Sequence, residues 1–433
     1  MNDQAHVTDL DRLYLPWRKR IVTALWLTYA SFYLCRVNIS IALPGIMKES
    51  GYSQTLVGGL ASAFFVVYGL GQLVNGQLGD KWGARRMIPI GVFLSAGLNV
   101  AFGFSKTFLA MTLIWAANGY AQAMGWAPTV KTLANWFPTS RRGSASAVQA
   151  TSYQIGSVVS WLMAGYLAHS FGWRYAFWVP PAIFCLFGIY LRWAVRNAPE
   201  EVGLPPVEAY ADGLDSEQHT VRKDEHLGFG FTLRQTLGNP RVWQAGLAYL
   251  FSSVVGFGFM LWTPLYLAQV HGLDISHAAA RAIVVPLMGV PGILIAGWVS
   301  DRWFQSRRAP IIALMLMVAS LLLALYPHIP LSNAWIGLAC LGLVGLVTLG
   351  PQALIVSGVA MDLGTRKAAS SAAGFIDALG YVGATLTGIG TGWLVEQHGS
   401  WTIAFHCWAA SVLLGALLMA AMWSHKPRQG QYH

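Results

Sequence analysis

Charge is the first thing this sequence lacks. Only 11% of its 433 residues are Asp, Glu, Lys or Arg, against about 25% in an ordinary soluble protein, and a soluble chain of this length could not cover its surface with so few. Acids are the scarcer sign, 18 against 28 Lys and Arg. Cysteine is limited to Cys35, Cys185, Cys340 and Cys407, each inside an apolar run and none in CxxC spacing. That pattern excludes a disulfide framework and a cysteine metal centre. The histidines are scattered without ligand spacing, and GxSxG, HExxH and Walker loops are all missing. No enzyme centre, metal or cofactor is therefore expected.

What is abundant is apolar surface. Hydrophobic residues make up 55% of the chain, with 46 Gly and 19 Trp, which membranes favour at close helix contacts and at interfaces. Runs of about 20 residues, long enough to span a bilayer, fall at 22–47, 54–78, 87–104, 108–136, 143–168 and 173–194. Six more follow at 241–270, 277–300, 309–327, 332–360, 368–394 and 401–424. The expectation is an all-α membrane protein of twelve transmembrane helices in two pseudo-symmetric six-helix bundles. Residues 1–194 form the first bundle, 195–240 a polar cytoplasmic linker, and 241–433 the second. No cleavable signal precedes the first span, so the first helix is expected to direct insertion.

The basic residues orient the chain. On these spans 22 of the 28 Lys and Arg lie on one side; Lys48, Lys106, Arg174 and Arg281 lie on the other, and Arg36 and Lys131 lie within spans. Such an excess marks the cytoplasmic side and puts both termini in the cytoplasm, for a multi-pass protein of the plasma (inner) membrane. The net charge of +10 is thus a matter of topology, and lipid rather than nucleic acid is the expected partner. A monomer is expected.

The two halves repeat. "GQLGDKWGARR" (76–86) is echoed by "GWVSDRWFQSRR" (297–308), "RRGSASA" (141–147) by "RKAASSA" (366–372), and "GYLAHSFGWRYAFW" (165–178) by "GWLVEQHGSWTIAFHCW" (392–408). The offsets are 221, 225 and 227 residues, as for one duplicated six-helix unit, the mark of a secondary transporter. "GQLGDKWGARR" resembles the loop motif of the major facilitator superfamily, with Gly76, Asp80 and Arg85 in pattern and Gly297, Asp301 and Arg302 in the second copy. These residues are expected to gate the cytoplasmic face. "YLCRVNISIALP", "YAQAMGWAPTVKTLANWF", "LWTPLYL" and "RKAASSAAGFIDALGYVGA" resemble the organophosphate:phosphate antiporters, the glycerol-3-phosphate and hexose-phosphate exchangers. The resemblance covers nearly the whole chain and implies the major facilitator fold, exchange against inorganic phosphate, and an arginine at Arg36 that grips the substrate.

The residues themselves point the same way. Arg36 sits near the middle of the first span, where an arginine costs about 2.5–3.5 kcal/mol and usually lines a polar cavity. Its planar fork suits phosphate or carboxylate. Tyr29, Tyr33, Arg36 and Ser40 fall on one helical face, as do Tyr68 with Gln72, and Gln149 with Tyr153, next to Gln154. Trp126 and Tyr381 complete the candidate lining, although aromatic side chains at such positions also serve simple packing. Lys131 reads better as a residue that snorkels to the surface. Asp377 is a carboxylate inside the eleventh span; it could carry a proton, bind a cation, neutralise Arg36 or hold two helices together.

Departures from the family pattern narrow the expectation. Gln72 stands where the glycerol-3-phosphate exchangers have lysine, Tyr153 where the family has histidine, and Gly256 where it has a second arginine. The leading expectation is alternating-access exchange of a phosphorylated or phosphonate anion. A proton-coupled carboxylate symporter and a transporter-like sensor that binds without transport are the alternatives.

Overall fold

Hydrocarbon offers the backbone no hydrogen-bond partner outside its own segment, so apolar runs in a membrane become helices. The structure, a computed structural model, describes residues 2–137, 139–205, 207, 237–304, 307–330, 334–359, 363 and 369–424. In the first half, α1 (Asn2–Phe32), α2 (Asn38–Ser50), α3 (Gln54–Trp82), α4 (Ala84–Phe104), α5 (Phe108–Gln122) and α6 (Trp126–Trp136) are followed by α7 (Thr139–Phe171), α8 (Tyr175–Trp178) and α9 (Pro180–Ala194). The second half holds α10 (Pro240–Val270), α11 (Ile275–Ala282), α12 (Val284–Trp303), α13 (Arg308–Leu325), α14 (Ala334–Leu354), α15 (Ala369–His398) and α16 (Trp401–Ala420). Of the polar segment at 195–240, residues 208–236 lie outside the described residues.

Among the described residues ten segments are long and apolar enough to cross a membrane. The expected spans 108–136 and 143–168 are helical but are not among the ten. The first is split between α5 and α6. The second lies in α7, whose Gln149, Ser152, Gln154, Ser157 and Ser160 are all buried; this helix turns its polar groups inward and reads as less apolar than it is in use.

Contacts divide the chain into two compact units. One comprises Met1–Asn38, Val67–Ser160 and Arg174–Glu225; the other comprises Ile39–Val66, Trp161–Trp173 and His226–His433. In the first, α4 packs on α5 and α9, and α9 packs on α1. Near its middle α7 comes so close to α1 that a β-carbon at Gly156 would collide with the Ala30 carbonyl oxygen. In lipid the drive for such contact is dispersion and interhelical hydrogen bonding, so small residues mark the seams.

In the second unit α10 packs on α15 and α16, and α12 packs on α14. The start of α3 lies on α15, where the Ser62 hydroxyl donates to the Thr385 carbonyl (2.7 Å) and accepts from the Ile389 amide (2.9 Å). Polar atoms that helix ladders cannot serve are thus paired between helices.

The repeated motif differs from expectation. Rather than forming a loop, Gly76 and Asp80 continue α3 as far as Trp82, because a glycine costs a helix only about 1 kcal/mol. The turn falls at Gly83, whose φ of 70° is left-handed and open to glycine at no steric cost. Asn197 packs against it and accepts from the Arg85 amide at 3.0 Å, while the Arg85 side chain donates to the Arg192 carbonyl at 3.2 Å. In the second copy Gly297, Asp301 and Arg302 are likewise helical, within α12, and Arg302 is exposed. The side chains of Asp80 and Asp301 lie outside the described residues.

Candidate functional site

The first span is not one continuous helix. After Phe32 the chain makes a single 3-10 turn, Tyr33–Cys35, and the α-helix resumes at Asn38. The amides of Arg36 and Val37 both turn to the Tyr33 carbonyl, each at 3.2 Å. The Phe32 carbonyl therefore loses the α-helical partner it would have had in Arg36. An unmet carbonyl is costly inside a membrane, and here side-chain amides from neighbouring helices serve the break. Gln122 donates to the Phe32 carbonyl at 3.2 Å; Asn99 and Asn118 donate to the Cys35 carbonyl at 3.1 and 3.0 Å. Asn38, at the restart, donates to Asn99 Oδ1 (3.0 Å) and to the Ala176 carbonyl (2.8 Å). Asn38, Asn99, Asn118 and Gln122 are completely buried.

Arg36 projects from this break. Its Nε donates to Gln122 Oε1 at 2.9 Å, Nη1 to the Tyr33 hydroxyl at 3.3 Å and Nη2 to the Tyr68 hydroxyl at 3.3 Å. The guanidinium carbon lies 4.7 Å from the Tyr33 ring centre, 4.9 Å from Tyr68 and 6.0 Å from Tyr29. Tyrosine faces stabilise the cation without neutralising it. Around this centre Trp126 packs on Tyr29 at 5.1 Å and Tyr153 on Tyr33 at 6.3 Å, and Gln72 donates to the Tyr68 hydroxyl at 3.3 Å. The α5–α6 break faces the first one, since Gly125 lies against the Phe32 ring.

The structure thus brings Tyr29, Tyr33, Tyr68, Gln72, Trp126 and Tyr153 into one cluster with Arg36. The other candidates have partners and surroundings of their own. Gln149 is completely buried and donates to the Leu25 carbonyl at 3.3 Å, a tie between α7 and α1; Gln154 is buried as well. Ser40 accepts from the Trp161 indole at 3.0 Å. Asp377 is half-buried in α15, and no hydrogen bond or ion pair reaches it among the described residues. Tyr381, one turn on, packs on Phe257 at 5.6 Å. At Gly256 a β-carbon would strike the Gln352 amide, whose nitrogen donates to the Ser252 carbonyl at 2.7 Å. A neutral amide therefore fills the space beside that glycine.

Sequence reasoning missed Ser95, Asn99, Asn118 and Gln122. The signal was present, since amides inside apolar runs must find buried partners. It is weaker than the signal of a charge or a tyrosine, because an amide carries no charge to mark it.

Comparison with known proteins places the chain in a family. The family profile of the Major Facilitator Superfamily matches residues 25–387. The membrane sensor protein UhpC of Salmonella typhimurium is 30% identical over 422 residues, 95% of this chain and 92% of that protein. The glycerol-3-phosphate transporter of Bacillus subtilis is 27% identical over 96% of this chain and 94% of that protein. Among solved structures, an inward-facing, unoccupied bacterial homolog of the human lysosomal transporter Spinster matches with a TM-score of 0.72 at 17% identity, covering 94% of this chain and 95% of its own. With ten apolar segments among the described residues and relatives matched along nearly their whole length, the chain is a multi-pass membrane protein of the major facilitator superfamily, within its organophosphate:phosphate antiporter family.

Proposed function

We propose that this protein is a secondary active transporter that exchanges a small phosphorylated or phosphonate anion by alternating access, with inorganic phosphate as the counter-substrate. The observation that supports this best is Arg36. It is a cation deep in an apolar span, held by neutral groups and ringed by tyrosine hydroxyls that can donate further hydrogen bonds to an oxyanion. The names of the relatives supply the substrate class: several are transporters of glycerol 3-phosphate or hexose phosphate. The proposal includes a plasma (inner) membrane location, both termini in the cytoplasm, and a monomeric working unit. It also includes two bundles, 1–194 and 241–433, joined by a linker at 195–240. Asp377 is assigned to charge balance, and the motif residues Gly76, Asp80, Arg85, Gly297, Asp301 and Arg302 to the cytoplasmic gate.

Titration of the purified protein with glycerol 3-phosphate and inorganic phosphate tests the site. Arg36→Lys keeps the charge but loses the planar fork, and it is expected to lose most anion binding at an unchanged melting temperature. Equal affinity in the two proteins would make Arg36 a structural residue.

A further inference from the structure

Gln122 carries no charge and lies behind Arg36, yet its orientation is fully determined. The Ser95 hydroxyl donates its one proton to Asn118 Oδ1 at 2.6 Å, so towards Gln122 Ser95 can only accept. The Phe32 carbonyl can only accept as well. Both therefore require the amide nitrogen of Gln122, and they receive it at 2.8 Å and 3.2 Å. A flipped amide would set oxygen against two acceptors. The oxygen of Gln122 is left facing Arg36 Nε at 2.9 Å.

We infer that Gln122 is a positioning residue for anion binding. It holds the Nε edge of Arg36 with a neutral acceptor, so that the guanidinium keeps its full charge and turns its two Nη groups towards the tyrosine hydroxyls. A carboxylate at the same position would hold the same edge but cancel the charge that the anion needs. The choice of amide over acid at residue 122 then sets affinity for anions without contact with them. The inference rests on Arg36 being the anion grip.

The test is Gln122→Glu, an isosteric change, titrated with inorganic phosphate and glycerol 3-phosphate between pH 5 and 8. Wild type is measured at every pH, because phosphate itself titrates in this range. Among the described residues, Arg36 is the charged group bonded to residue 122, and Tyr33 beside it and Tyr68 on α3 are the titratable groups bonded to Arg36; the Cys35 carbonyl also faces the amide. They are common to both proteins and drop out of the ratio. At pH 7.5 the introduced carboxylate is expected to weaken anion binding by about tenfold relative to wild type, equivalent to about 1.4 kcal/mol. The outer oxygen of that carboxylate would face two acceptors, Ser95 Oγ and the Phe32 carbonyl, which oppose O⁻ and favour O–H against the pull of Arg36. As the pH falls to 5 the carboxyl takes up a proton; its O–H then donates to the Phe32 carbonyl as the amide did, and the ratio returns towards one. A purely structural glutamine would give a ratio flat with pH, whether at one or at a constant loss, and that result overturns the inference. Arg36→Lys is titrated alongside. If it binds as wild type does, the reading of Arg36 has failed; if it loses binding while Gln122→Glu stays flat, only the role of Gln122 has failed. Should Gln122→Glu not fold, Ser95→Ala decides, because it removes one anchor of the amide without touching Arg36. At least a threefold loss of affinity supports the inference, and an unchanged affinity overturns it.

Discussion

A single charge in hydrocarbon governs the residue scale. Arg36 is legible in the sequence because a charge in such a run must meet a polar surface or a ligand. Its tyrosine neighbours follow from spacing alone. Asp377 is the carboxylate that the sequence places within an expected span, and nothing among the described residues pairs with it. Removing its charge makes the membrane-embedded interior more positive, where charges interact strongly at low dielectric. Asp377→Asn is therefore expected to bind anions more tightly than wild type and to release them more slowly, lowering both exchange and net uptake in proteoliposomes. Loss of pH-driven uptake with exchange intact would instead make Asp377 a proton carrier.

At the scale of elements, helix ends and breaks are what sequence patterns conveyed least. No proline or glycine lies between Tyr33 and Val37, so the break in the first span has no local cause; it depends on amides that α4 and α5 bring from more than sixty residues away. A hydrophobic periodicity cannot show such a partner. Helix α3 runs past its expected end at 78 to Trp82, and α12 past 300 to Trp303; a glycine marks a turn where φ is positive, as at Gly83. The start of α11 is simpler. Asp274 caps it by accepting from the amides of Ser276 (2.9 Å) and His277 (3.1 Å), and its carboxylate also bonds the His277 ring. That last bond, chiefly, holds the Asp274 carboxyl below its ordinary value of 3.8. A depressed carboxyl contributes stability that is complete above the ordinary value and is lost as the pH falls through the folded one. Asp274→Ala is expected to cost about 1 kcal/mol at pH 6, read as a lower melting temperature, with the gap to wild type narrowing below pH 3.8. A gap constant with pH would show that the charge of the cap contributes nothing.

For the whole molecule, the repeat and the count of spans carried the fold; the α5–α6 split and the polarity of α7 explain why ten segments among the described residues, not twelve, are long and apolar enough to cross a membrane. The substrate is less legible. Specificity depends on which neutral groups replace charge, as Gln352 does beside Gly256, and spacing does not reveal what fills a gap. The central claim is exchange: the carrier should return across the membrane readily only when loaded. The direct measurement is counterflow of labelled inorganic phosphate into proteoliposomes loaded with glycerol 3-phosphate, compared with empty ones. The account predicts uptake that internal glycerol 3-phosphate accelerates and that Arg36→Lys abolishes. Uptake indifferent to the internal ester, or binding of phosphate with no flux at all, would contradict it, and the second result would make the protein a sensor.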